Sequence, residues 1–169
     1  TSALNAGTYT ILACYLGDSN YNSSGGTVSQ TVNKANQTIS FPVIPTHTYG
    51  DADFTISATA TSMLPVSFST DSPAECTVSG NLVHIVAAGF CSIRASQGGN
   101  SNYNPAPDTG QTITINKANQ TINFPNPGPH TYGDPDFMVS ATATSMLPVS
   151  FSSDSPTTCT VTGNLVHIL

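Results

Sequence analysis

The sequence predicts an all-β chain built from repeated antiparallel sandwiches, and three observations carry that prediction. Apolar and polar residues alternate over short runs with little sign of a 3.6-residue period, the mark of half-buried strands. Clusters of Pro, Gly, Asn and Asp separate the runs as turns do. The segment 33–85 recurs at 116–168 without a gap, a displacement of 83 residues. A period of this size marks domain-sized units in tandem.

The elements of one unit follow in order. In QTISF, Ile39 and Phe41 are expected to face inward, and in FTISATA so are Phe54, Ile56, Ala58 and Ala60. LPVSFS points Leu64, Val66 and Phe68 inward. The next strand carries Cys76 and Val78, the turn SGN follows at 79–81, and a strand with Val83 and Ile85 returns. After Gly89 come Cys91, Ile93 and Ala95, and QTITI closes the unit with Ile113 and Ile115. About seven short strands at this spacing fit an antiparallel β-sandwich of the immunoglobulin type, although the core Trp of antibody domains is missing. Between the copies VIPT at 43–46 becomes NPGP at 126–129, as a loop tolerates, while Ile56 becomes Val139, a volume-conserving change on an inward face.

The chain opens on a different part of the same unit. AGTYTILACYLGDSNYN at 6–22 parallels AGFCSIRASQGGNSNYN at 88–104, and both lead into NKANQTI. Residues 1–32 are therefore read as the C-terminal strands of one repeat, 33–115 as a complete repeat, and 116–169 as the N-terminal strands of another. Neither partial repeat can bury its face alone, and open strand edges are templates for pairing. Either the chain is a window on a longer covalent array, the preferred reading, or separate copies complete one another head to tail. Both give contacts that do not close on themselves, and hence an open fibre.

The strings NKANQTI, TYGDADF, ATSMLPVSFS, CTVSGNLVHI and AGFCSIRASQGGNSNYN resemble the bacterial immunoglobulin-like repeat that occurs in tandem in large surface and adhesin-like proteins. The resemblance covers essentially the whole chain. It implies an extracellular, cell-surface location and a stalk, filament or adhesin role, with no catalytic residues.

In an exported chain, Cys76 and Cys91, both inward and 15 residues apart, read as a disulfide; two buried free thiols are the alternative. Cys159 matches Cys76, but the partner it should have would follow the last residue. Cys14 aligns with Ser96 and should point outward, while Tyr9 holds the place of Cys91. Cys14 and Cys159 are thus candidate thiols for bonds between units.

Composition sets the remaining limits. Three Lys plus Arg stand against nine Asp plus Glu, for a net charge of −6, so nucleic acid and anionic lipid are not expected partners. No apolar run reaches the ~20 residues of a membrane helix, and an export signal is expected outside these residues. The expected partners are further copies of the chain or adjacent repeats. The pairs Asp51/Asp53 and Asp134/Asp136 could offer calcium some oxygens, but a site needs about 6 to 8, and Asx turns explain isolated Asp equally well. His47 and His130 beside a loop, and His84 and His167 on the outer side of a strand, read as surface or interface residues, so no metal and no cofactor are expected. Asn22, Asn36 and Asn119 fit the N-glycosylation acceptor, a short pattern that Asn- and Thr-rich chains produce by chance. Tyr21 and Tyr103 are read as packing on a neighbouring domain, with a sugar platform as the alternative. No nucleophile elbow or phosphate loop stands out, so an enzyme is not expected. Pro42, Pro125, Pro105 and Pro107 would stiffen the entry and exit of each unit. The competing function is a binding module, an adhesin or carbohydrate-binding accessory domain of a larger secreted protein.

Overall fold

The computed structural model describes residues 4–169, so the first three residues of the expected 1–32 segment lie outside the described residues. Among the described residues there is no helix, and the strands are short. The chain divides into two compact units, the first ending at Lys117 and the second spanning Ala118–Leu169.

The first unit opens with a two-stranded antiparallel ribbon, β1 (Gly7–Tyr15) and β2 (Ser24–Val32), paired from Gly7 opposite Val32 to Tyr15 opposite Ser24. Ile11, Leu12 and Val28 are all more than half exposed, because two strands without a covering layer bury neither face. Asp18 organises the connecting loop: its carboxylate accepts the Asn20 and Tyr21 amides, each at 2.8 Å. Gly17 is needed there, since its φ is +81° and a Cβ would come within 2.8 Å of the Ser23 nitrogen.

Nine strands follow in this unit: β3 (Ile39–Ser40), β4 (His47–Thr48), β5 (Phe54–Thr55), β6 (Thr59–Ala60), β7 (Ser67–Thr70), β8 (Cys76–Ser79), β9 (Leu82–Ile85), β10 (Gly89–Ser96) and β11 (Thr109–Asn116). They form a four-stranded sheet in the order β4-β11-β10-β7, a three-stranded sheet β5-β9-β8, and the pair β3-β6. The β10–β11 hairpin is the long element, running from Gly89 opposite Ile115 to Ala95 opposite Thr109. Its alternation turns Cys91, Ile93, Ala95, Ile113 and Ile115 to one side. There they meet Phe41, Ile56, Cys76, Val83 and Ile85 in a single core. Phe68 packs on Phe41 with ring centroids 5.5 Å apart. Burying each such side chain is worth about 1.5–3 kcal/mol, and the core needs both sheets to do it.

One expected strand is divided. Phe54 to Ala60 keep the inward parity of FTISATA, but β5 pairs with β9 and β6 with β3. The chain passes from one sheet to the other between them, with the Ile56 amide bonded to the Asn81 carbonyl and the Thr61 amide to that of Thr38. The turn after β6 places Met63 at φ 60°, and Met146 repeats it at φ 59°. A non-glycine residue in the left-handed region costs roughly 1–2 kcal/mol, so both copies hold this turn against local preference.

The second unit contains β12 (Ile122–Asn123), β13 (Phe137–Met138), β14 (Thr142–Ala143), β15 (Cys159–Thr162) and β16 (Leu165–Ile168), in sheets β12-β14 and β13-β16-β15. The pairing repeats that of β3, β5, β6, β8 and β9: Cys159 lies opposite Ile168 as Cys76 lies opposite Ile85, and Phe137 opposite Val166 as Phe54 opposite Val83. The counterparts of β4 and β7, residues 130–131 and 150–153, are not strands. In the first unit β4 is held by β11 and β7 by β10. Among its described residues the second unit has no such hairpin, so the same sequences have no ladder to join.

Candidate functional site

The second unit carries an open apolar groove of about 380 Å³ whose lining includes Phe124, Phe137, Val139, Phe151, Cys159 and Val166. In the first unit the corresponding residues are Phe41, Phe54, Ile56, Phe68, Cys76 and Val83, all members of the core or packed against it. The floor is already shaped: Phe124 and Phe151 keep the tilted contact of Phe41 and Phe68, again at 5.5 Å. What differs is the cover. Phe41 is 7% exposed beneath β10–β11, whereas Phe124 is 55% exposed. The groove is the imprint of the side chains that Cys91, Ile93, Ala95, Ile113 and Ile115 contribute in the first unit.

A polar rim accompanies it. In the first unit Gln37 is 3% exposed, and its amide donates to Gln97 Oε1 at 2.6 Å and to the Asn104 carbonyl at 2.8 Å. Ser62 Oγ donates to Gln37 Oε1. Beside it, Ala35 pairs in parallel with Tyr103: the Ala35 amide reaches the Asn102 carbonyl at 2.8 Å, and the Asn104 amide returns to Ala35 at 2.9 Å. Asn104 Nδ2 donates to Asn36 Oδ1 at 2.8 Å. In the second unit Ser145 donates to Gln120 in the same way, but Asn119 and Gln120 are exposed. A buried amide must be hydrogen-bonded, and the two acceptors of the Gln37 Nε2 group belong to the segment after β10.

The β1–β2 ribbon repeats local features of β10–β11. Its loop repeats the turn at 100–103, with the Asp18 amide bonded to the Tyr21 carbonyl at 2.9 Å as the Asn100 amide is to that of Tyr103 at 3.0 Å. Asp18 replaces Asn100, and the two backbone amides hold its carboxyl below the usual carboxylate range. A hydrogen bond to Asp18 raises the Tyr15 phenol.

The other candidate residues are placed as follows. Cys76 and Cys91 are bonded, with Cα atoms 5.7 Å apart and both side chains fully buried. Cys14 is free and exposed opposite Gly25, and Cys159 is free and half-buried, 3.3 Å from Ser153 Oγ. Asn22, Asn36 and Asn119 are all exposed, and the oxygen of Asn36 is engaged by Asn104. The paired aspartates turn to different partners. Asp51 and Asp134 cap their own turns through the Thr48 and Thr131 amides, while Asp53 and Asp136 meet His84 at 2.7 Å and His167 at 2.6 Å. His47 and His130 stack on Phe54 and Phe137, at 3.9 and 3.6 Å between centroids. Among the described residues no group of three His, Cys, Asp or Glu side chains could hold a metal ion. Tyr21 is exposed and Tyr103 half-buried.

Sequence reasoning missed Gln37 and its rim. The string NQT stands unchanged in both copies, but as a string it reads as a glycosylation acceptor, and only the fold reveals the buried amide. No helix among the described residues is long and apolar enough to cross a membrane. Comparison with protein-family models, with curated proteins and with solved structures finds no match to this chain.

Proposed function

We propose that the chain is a structural repeat unit of an extracellular filament, stalk or adhesin, assembled from immunoglobulin-like sandwich domains joined head to tail. The observation that carries this reading is the groove of the second unit, which corresponds residue by residue to the core of the first. A face that is a filled core in one copy and open in the other calls for strands of the same repeat, supplied by a further copy or by an adjacent repeat. Such joints are heterologous and extend without closing. The first unit has its own core and a disulfide, and an array of such units can lengthen without a new fold. A disulfide suits an oxidising compartment outside the cell. With few exposed ion pairs to screen, the assembly should tolerate wide changes in salt.

Electron microscopy of the native assembly tests the proposal. A fibre of bead-like domains whose axial step equals two domains per chain is expected. Isolated compact particles, each a single chain, would overturn it.

A further inference from the structure

We propose that the loop at 100–104 is the docking surface for the preceding repeat of the same chain, and that the Asn102 side chain is the clamp that fixes the orientation of that repeat. The inference rests on the tandem-array reading, with 1–32 as the end of one repeat and 33–115 as the next, and deepens it by naming the contact at the joint.

Bonds from both sides of the β1–β2 ribbon converge on this loop. Before β1, the Ala6 amide donates to Asn102 Oδ1 at 2.8 Å, and Asn102 Nδ2 donates to Asn5 Oδ1 at 2.9 Å. One carboxamide thus engages two consecutive residues through both its acceptor and a donor, which fixes its plane as well as its distance. After β2, the Ala35 amide reaches the Asn102 carbonyl, the Asn104 amide returns to Ala35, and Asn104 Nδ2 holds Asn36 Oδ1. Gly7 lies opposite Val32, so the segments entering and leaving the ribbon are held by the same loop. Relative motion is the default for successive domains with a small contact. The linker alone would let the ribbon swing about Asn33 and Lys34; the attachment at Asn5 and Ala6 opposes that motion.

The loop is shaped for this before the partner arrives. Asn100 Oδ1 accepts the Asn102 and Tyr103 amides at 2.8 and 2.9 Å, and the Asn100 amide donates to the Tyr103 carbonyl at 3.0 Å. Gly99, at φ +74°, permits the tight turn, since a Cβ there would clash with the Tyr103 carbonyl. Little ordering is left to be done at the joint.

Two departures from the repeat pattern mark the partner side. The alignment of 6–22 with 88–104 sets Asn5 against Ala87 and Tyr9 against Cys91. Asn5 supplies the oxygen that Asn102 Nδ2 takes, and the Tyr9 hydroxyl donates to the Asn5 carbonyl at 2.8 Å. Ala87 has no side-chain oxygen, and Cys91 is spent in the disulfide. The preceding repeat therefore sets the strength of the joint: Asn at this position gives a two-bond clamp, and Ala leaves only the main-chain bond. No ionised side chain takes part in these bonds, so the orientation should be indifferent to salt.

Residual dipolar couplings of the full chain, at dilution and with Cys14 and Cys159 replaced by Ser, test the clamp. The amides of β1–β2 and β10–β11 are expected to fit one alignment tensor. Asn102→Ala should shrink the ribbon couplings against those of β10–β11, and should lower the protection of the Ala6 amide, relative to its intrinsic exchange rate, about tenfold, as loss of one hydrogen bond does. Asn5→Ala and Asn102→Asp should also loosen the ribbon but keep the Ala6 protection, because an acceptor for Ala6 remains; a merely local role of Asn102 would not produce that split. The melting transition should stay where it is in all three, since the backbone carbonyls of Asn102 and Asn104 that hold Ala35 and Gln37 are untouched. Ribbon couplings already averaged in the parent overturn the proposal, as does an orientation unchanged in both Asn102→Ala and Asn5→Ala. Native fibres alongside either result would remove this clamp and leave the filament reading standing. Compact single-chain particles, together with a shared tensor that Asn102→Ala abolishes, would remove the filament and keep this contact.

Discussion

Ile93 and Ile11 are the same position of the repeat in two settings, and truncating each to Ala separates local sequence from tertiary cover. Ile93 is 1% exposed at the centre of β10, between Cys91 and Ala95 and within the core that includes Ile113. Removing its three outer carbons forfeits about 2.4 kcal/mol of transfer free energy at ~0.8 per methylene, and the cavity left behind adds to this. A loss of about 3 kcal/mol corresponds to a fall of roughly 12–24 °C in the melting temperature of a domain of this size. Ile11 is more than half exposed, so Ile11→Ala should stay within about 0.5 kcal/mol of the parent. Differential scanning calorimetry at concentrations too dilute for association measures both. Equal losses at the two sites would refute the reasoning, because the ribbon would then have to be covered within the single chain. Loss at neither site would mean that β10 does not face a packed core.

Two further experiments address the disulfide and the β1–β2 loop. Reducing Cys76–Cys91, in a chain with Cys14 and Cys159 replaced by Ser, releases a loop of 15 residues and should cost about 3 kcal/mol, a shift visible in the same calorimetric scan; an unchanged transition would remove the disulfide from the account of stability. Because the Asp18 carboxyl is held below its ordinary value, its support of the loop is complete above about pH 4 and fades as the pH falls through the lowered value. Protection of the Asn20 and Tyr21 amides, taken relative to the intrinsic exchange rate at each pH, should therefore fall on acidification, while Asn102 and Tyr103, held by the uncharged Asn100, keep theirs; parallel behaviour of the two loops would contradict this.

Much of the strand geometry is legible in the sequence because side chains on a strand alternate whatever it packs against. Parity alone places Phe41, Ile56, Val83, Ile93 and Ile113 on the inner side, and all are buried. It also brings Cys76 and Cys91 to the same side, where they are bonded. Parity says nothing about hydrogen-bond partners, so FTISATA reads as one strand although its halves join different sheets. Nor does it reveal that an exposed-looking Gln37 lies beneath the loop at 97–104, since that burial is made by residues about 60 positions away.

By itself, then, the sequence determined the repeat, its inward positions and its turns, all of which depend on neighbours along the chain. Only the tertiary structure decided how far each inward residue is buried. Phe41 and Phe124 share a local sequence and a local conformation, yet one is in a core and the other faces solvent. Burial is a property of the opposing sheet, and no residue carries it alone.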